Sequence, residues 1–159
     1  MIGEIRDKKT AEIAVRAAVT GHLVLSTIHT TDAVSAVVRL IDMGIPAYLI
    51  SSTLNAVVAQ RLLRKLCLNC RKKISEDNYE AVGCSNCSST GYKGRTPAAE
   101  ILIVNQEIRN LINQHKSRND LKETAMKSGM KTLREAAEVK ISSGKSTKEE
   151  LLRVVNLSS

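Results

Sequence analysis

Four cysteines carry the clearest chemistry in this 159-residue chain. Cys67, Cys70, Cys84 and Cys87 form two C-x-x-C pairs with a spacer of 13 residues between them. Each C-x-x-C turn can aim two thiolates at one ion about 2.3 Å away, and two such turns complete the tetrahedron that Zn²⁺ accepts in structural sites. With four sulfur ligands no coordination position remains for water, so the expected role is structural rather than catalytic. Free thiols or redox pairs are the competing reading, but the flanking sequence is not thioredoxin-like. Zinc bound here would contribute roughly 10 kcal/mol or more to folding its segment.

Two other groups of residues could do chemistry. "MIGEIRD" places Glu4 and Asp7 at the end of an apolar stretch that leads into a helix. Ligands of open α/β sheets bind at the carboxyl ends of strands, where an acid reaches a metal-bound phosphate or a water. Acids at a helix start also complement its dipole, which is the plainer explanation. In "TGHLVLSTIHTTDA", residues 20–33, His22 and His29 bracket an apolar run. An extended run of that length separates the two rings by about 20 Å and points them to opposite faces. They cannot share a ligand: His29 belongs at the carboxyl end with Glu4, and His22 at the far end.

The elements that must position these groups follow from periodicity. Ala11, Ala14, Val15 and Ala18 make a helical stripe of small residues that Gly21 ends. "HLVLSTI" is too short for a helix and suits a strand covered on both faces. Helical period restarts through Ala33, Ala36, Val37, Leu40 and Ile41, with Thr31 or Asp32 as N-cap and Gly44 as the stop. The first 45 residues thus read strand, helix, strand, helix, the pattern of a parallel α/β sheet. Pro46 opens another helix, and "VVAQRLLRKL" leads by helix or strand into the first cysteine pair. Residues 67–87 read as a polar loop, "AAEILIV" as a strand, and the remainder as helices. Three capping boxes mark later helix starts: Ser117 with Asp120, Thr132 with Glu135, and Thr147 with Glu150.

Composition narrows the function. Apolar residues make up 43% and charged residues 25%, the balance of a globular protein. Three Tyr with no Trp or Phe leave little to stack on bases, so the net charge of +8 does not by itself indicate nucleic acid. No apolar run approaches the roughly 18 residues of a membrane span and no leader pattern is present, so a cytoplasmic protein is expected.

Taken together, "GEIRD", "TGHLVLSTIHTTDA", "AQRLLRKLC", the two C-x-x-C pairs, "TGYKGRTPAAEIL", "GMKTL" and "LLRV" resemble, in order, the secretion ATPases of type II secretion and type IV pilus assembly. The resemblance covers nearly the whole chain, and the four cysteines point to the assembly branch rather than the retraction branch. It implies an α/β fold: the carboxyl-terminal part of a RecA-like P-loop NTPase core over 1–66, a zinc-binding tetracysteine lobe over 67–87, a return to a core strand over 88–104, and a helical subdomain over 105–159. It implies a hexamer that hydrolyses ATP with Mg²⁺ to drive pilin or pseudopilin assembly. The motor would lie peripheral to the inner membrane through platform or adaptor proteins. Glu4 is identified with the Walker B acid that polarises the attacking water, and His29 with a contact to the terminal phosphate. Arg6, Asp7 and His22 complete the two boxes as nucleotide-site support, and Cys67, Cys70, Cys84 and Cys87 hold structural zinc.

Some positions depart from the family pattern. Thr31 stands where Asn is usual, Leu68 where Pro is common, and Ala136–Ala137 where Asp-Gly is common; none removes a named chemical group. The 159 residues contain no G-x-x-x-x-G-K-[ST], the backbone cradle and lysine that hold the β- and γ-phosphates. The chain is therefore expected to be inactive alone, with negligible ATP binding, although the resemblance implies a parent protein that hydrolyses ATP. An incomplete sheet is expected to expose a strand edge and favour self-association. Two other readings compete: a zinc-stabilised nucleic-acid-binding module, suggested by the basic run 61–73, and a catalytically inert docking scaffold.

Overall fold

The computed structural model describes residues 1–76 and 78–155, and of Val155 only its backbone. Contacts divide the chain into two compact units that alternate along the sequence, residues 1–59 with 101–130 and residues 60–100 with 131–159.

In the first unit, α1 (Lys8–Val19) starts at Asp7, whose carboxylate accepts from the backbone N–H of Thr10 at 2.9 Å. It buries the small side chains Ala11 and Ala14, which allows close packing. A turn through Gly21, at φ +89°, then redirects the chain. Helix α2 (Ala33–Asp42) is capped by Asp32, whose side chain accepts from Ser35 N–H at 2.7 Å, and buries Ala33, Val34, Ala36 and Val37. Helix α3 (Ala47–Thr53) follows Pro46, which occupies the N-cap itself. Helices α4 (Gln106–Asn113) and α5 (Arg118–Lys127) complete this unit, and Ile50, Leu102, Ile108, Ile112 and Leu121 are buried in it.

The apolar run at residues 22–28 departs from expectation. Among the described residues it is extended but forms no regular strand, and neither does the segment at 1–6. The two run parallel through Ile2 N–H to Leu25 C=O at 2.9 Å and Ile5 N–H to Thr27 C=O at 2.8 Å. Thr27 Oγ1 adds a bond to Gly3 C=O. Two backbone bonds do not make a ladder, and nothing covers both faces: Leu23 is 82% and Leu25 60% exposed.

In the second unit the chain forms real strands. β1 (Ala56–Leu66) pairs with β4 (Tyr92–Ile103), and two of the three boundaries between units fall within these strands. Residues 67–87, expected as a loop, contain a hairpin of β2 (Arg71–Ser75) and β3 (Asn78–Ala81) and a short 3₁₀ turn over Ser85–Cys87. The hairpin is antiparallel, with Arg71 opposite Ala81 and Lys73 opposite Tyr79. Its strand character escaped pattern reading because "RKKIS" is exposed at every position, so no alternation marks an inner face. Helices α6 (Leu133–Ser142) and α7 (Lys148–Val155) cover the core of Leu63, Ala98, Ala137, Ile141, Leu151 and Val154.

The capping boxes at Ser117–Asp120 and Thr132–Glu135 form in both directions. The third is half-formed: Glu150 N–H donates to Thr147 Oγ1 at 3.3 Å, but both carboxylate oxygens go elsewhere, to Arg64 and Arg153. Buried Glu100 accepts from Leu133 N–H at 3.2 Å, a cap contributed to α6 from a distant strand.

Candidate carboxylate–histidine site and tetracysteine centre

Residues 4–6 of "MIGEIRD" and the end of the histidine run come together. Glu4 lies beside Ile5, whose backbone bond to Thr27 brings residues 4–6 alongside 27–29. The consequence is a three-residue cluster: His29 Nε2 stands 2.7 Å from Glu4 Oε1, and Arg6 Nε donates to Glu4 Oε2 at 2.6 Å. The carboxylate is the inner member, 21% exposed, while the His29 side chain is 88% exposed. Oε1 itself is fully buried and has no hydrogen-bond partner among the described residues, so its contact with His29 is one of charge and proximity rather than an aligned bond. A cavity of about 220 Å³ opens over the cluster, lined by Glu4, Arg6, Ile28, His29, Arg39 and Met43.

The other two residues of the pair of boxes stand differently. Asp7 caps α1, and the Thr10 N–H, ahead of the Thr10 hydroxyl, holds its carboxyl below the ordinary range. His22 begins the extended run, where its Nδ1 lies 3.1 Å from Thr20 Oγ1. Neither lines the cavity. Arg39 does, and nothing in the sequence reading singled it out: it sits one turn from the end of α2, where a basic residue is ordinary. Asp32, the N-cap of the same helix, does not line the cavity. Burial pushes its carboxyl up, but bonds from Ser35 and Arg118 outweigh that and hold it low.

The four cysteine sulfurs all lie within 4.8 Å of one another and can hold a metal ion. Cys67–Cys84 is 3.9 Å, Cys70–Cys87 3.8 Å and Cys84–Cys87 3.8 Å between sulfurs. A tetrahedron with metal–sulfur bonds of about 2.3 Å has edges of about 3.8 Å, so the cage has the size such an ion requires. Backbone groups shape it. The N–H groups of Cys84 and Gly91 both donate into Cys87 Sγ, at 3.3 and 3.2 Å, and Cys67 N–H donates to Gly91 C=O at 2.9 Å. Desolvation opposes ionisation of Cys87, but those N–H bonds outweigh it and bring the thiol down to about 6, whereas desolvation and the neighbouring sulfurs push Cys70 up to about 12. The two backbone N–H groups thus favour the thiolate form of Cys87.

The basic run beside this centre is partly structural. Arg64 bonds Glu150 and lies 4.2 Å above the Tyr92 ring, and Arg71 donates to Gly144 C=O at 2.6 Å and faces Tyr79. Among the described residues no helix is long and apolar enough to cross a membrane.

The family described as type II/IV secretion system protein matches residues 1–153. The type II secretion system protein HxcR of Pseudomonas aeruginosa is 53% identical over 155 residues, which span 97% of this chain and 33% of HxcR. The type IV pilus assembly ATPase PilB of Thermus thermophilus is 43% identical over 96% of this chain and 19% of its own length. Among solved structures, the pilus retraction motor PilT with bound ADP matches 95% of this chain and 37% of its own, at 30% identity and a TM-score of 0.69. An ATPase DotB of Yersinia pseudotuberculosis, at 23% identity and a TM-score of 0.70, shares the fold. The chain spans between about a fifth and two fifths of the length of these proteins.

Proposed function

This chain belongs to the type II/IV secretion system protein family, and from that premise we propose that it supplies the carboxylate–histidine half of an ATP-hydrolysing secretion or pilus-assembly motor. The observation that carries the reading is the Glu4–His29 contact of 2.7 Å at the mouth of a cavity. Phosphoryl transfer depends on positioning and on stabilising charge. Glu4, held from one side by Arg6, presents its carboxylate at the cavity to orient a water. His29 contacts a terminal phosphate in this reading, which its exposure beside Glu4 supports. Arg6 fixes the carboxylate; Asp7 supports the site by starting α1 directly after it, and His22 by anchoring the far end of the extended run.

The four cysteines hold zinc in this reading, since four thiolates in a closed tetrahedron suit Zn²⁺ and leave no open position. The metal supplies folding energy to the lobe and no step of the hydrolysis. ATP and Mg²⁺ would bind with a phosphate loop from the rest of the motor, whose subunits form a hexamer, work in the cytoplasm and dock on inner-membrane platform proteins. The identities of the relatives, secretion and pilus-assembly proteins, support this over a nucleic-acid-binding module.

The direct test replaces the corresponding third of the Pseudomonas HxcR with this chain and measures ATP hydrolysis. The chimera is expected to hydrolyse ATP and its Glu4→Gln form to lose at least about a hundredfold in rate. A folded chimera with no hydrolysis, or a Glu4→Gln form at full rate, would overturn the assignment.

A further inference from the structure

The cavity over Glu4 contains more positive charge than the Glu4–His29 pair uses. Arg6 spends Nε on Glu4. Arg39 reaches the same cavity from α2, and its guanidinium makes no hydrogen bond or ion pair among the described residues. Two guanidinium groups and an imidazole therefore surround a single carboxylate. An exposed arginine can simply be solvated, and one in the last turn of a helix gains from the dipole wherever it points. Its place in the wall of a concave site, next to a second arginine that is already paired, adds a different possibility. Like charges gathered in a cleft raise the local potential and draw in an anion, and a planar guanidinium matches the oxygens of a phosphate two at a time.

We propose that Arg39 is an oxyanion-binding residue of the carboxylate–histidine site, taking, with His29, the oxygens of a phosphoryl group. This rests on the phosphoryl-transfer reading above and names a residue that reading leaves out. The chemistry is the same for the terminal phosphoryl of a nucleotide and for free orthophosphate after its release. Arg39 lies 35 positions after Glu4 in the chain and 10 after His29, so α2 alone sets its approach to the cavity. Glu4 repels the anion and Arg6 is paired with Glu4, so Arg39 provides the positive charge left for the anion.

The experiment follows the His29 ring Cε1–H resonance of the full chain by NMR as inorganic phosphate is added at constant pH and ionic strength. A saturable shift is expected. Arg39→Ala should weaken phosphate binding about tenfold or more. Arg39→Lys, which keeps the charge and the helix-end interaction but not the fork, should fall between. Arg16→Ala, on α1 and outside the cavity, should match the unaltered chain. Each variant's amide spectrum reports its folding, and Arg39→Lys keeps the comparison if Arg39→Ala does not fold. The HxcR chimera, which supplies the phosphate loop, separates the two sources: a higher KM for ATP in Arg39→Ala assigns the site to the terminal phosphoryl, weaker inhibition by phosphate alone assigns it to the released product. No saturable shift with phosphate, or equal affinity in Arg39→Ala and Arg39→Lys and the unaltered chain, overturns the proposal. Arg39-independent phosphate binding beside an active HxcR chimera overturns it alone; Arg39-dependent binding beside an inactive chimera overturns only the ATPase reading.

Discussion

Glu150 and Arg64 are 86 residues apart in sequence and meet twice: Arg64 N–H donates to Glu150 Oε1 and its guanidinium Nε to Oε2, both at 2.9 Å. Arg153 adds bonds to both oxygens, and the Glu150 side chain is completely buried. Burial pushes this carboxyl up, but the bonds from Arg153 and Arg64 win and hold it at about 2 against an ordinary 4.5. A depressed carboxyl contributes stability above its unfolded pKa and loses it as pH falls towards the folded one. The contribution is therefore complete above about pH 4.5 and fades towards pH 2, with a ceiling of about 3 kcal/mol. Urea unfolding of the chain from pH 7 to pH 2.5, beside Glu150→Gln, checks this. The variant should be about 2–4 kcal/mol less stable at pH 7, and the gap should shrink in acid.

Metal removal should act on the lobe and spare the first unit. Strong chelation, or Cys67→Ser, is expected to release one zinc per chain and to open residues 67–90 to protease while fragments from 1–59 persist. Metal analysis with limited proteolysis decides it, and an equally resistant 67–90 segment without metal would count against a structural ion.

Gly91 and Gly94 lie three residues apart, both at positive φ, and should respond differently to alanine. A Cβ on Gly91 would stand 2.6 Å from Ala81 Cβ, and this glycine also donates to Cys87 and accepts from Cys67. A Cβ on Gly94 meets nothing. Gly94→Ala should cost about 1 kcal/mol through backbone conformation alone. Gly91→Ala should cost more and weaken metal binding as well, measured by competition with a zinc chelator.

The acids of "GEIRD" should separate by assay. Asp7→Ala removes the cap of α1 and is expected to lower the melting temperature by a few degrees. Glu4→Gln should leave melting nearly unchanged and abolish hydrolysis in the HxcR chimera. Thermal melts and rates on the same two variants give the comparison.

The legible parts of this chain were those where local pattern and final environment agree. Small-residue stripes and capping residues placed α1, α2, α5 and α6, because a helix satisfies its own backbone and needs only one covered face. The cysteine spacing led directly to a cage of matching size. The β2–β3 hairpin was hidden because every position of β2 is exposed and β3 is a strand of only four residues, so no alternation marks a covered face. Residues 22–28 misled in the opposite sense: an apolar run signals burial, whereas Leu23 and Leu25 are exposed here. Glu150 matched a capping box locally, but two arginines offered its carboxylate more than one backbone N–H could. Arg39 carried no signal, since a lone basic residue near a helix end reads the same whether or not it faces a cavity.

Asp32 joins α2 to a second helix, because the carboxylate that caps α2 also takes Arg118 of α5, whose Nε reaches Ser35 on the first turn. A helix of ten residues is a rod about 15 Å long, fastened here at its first turn and carrying Arg39 near its last. The ion pair that ties the two helices therefore also fixes the rod from whose other end Arg39 reaches the carboxylate's cavity.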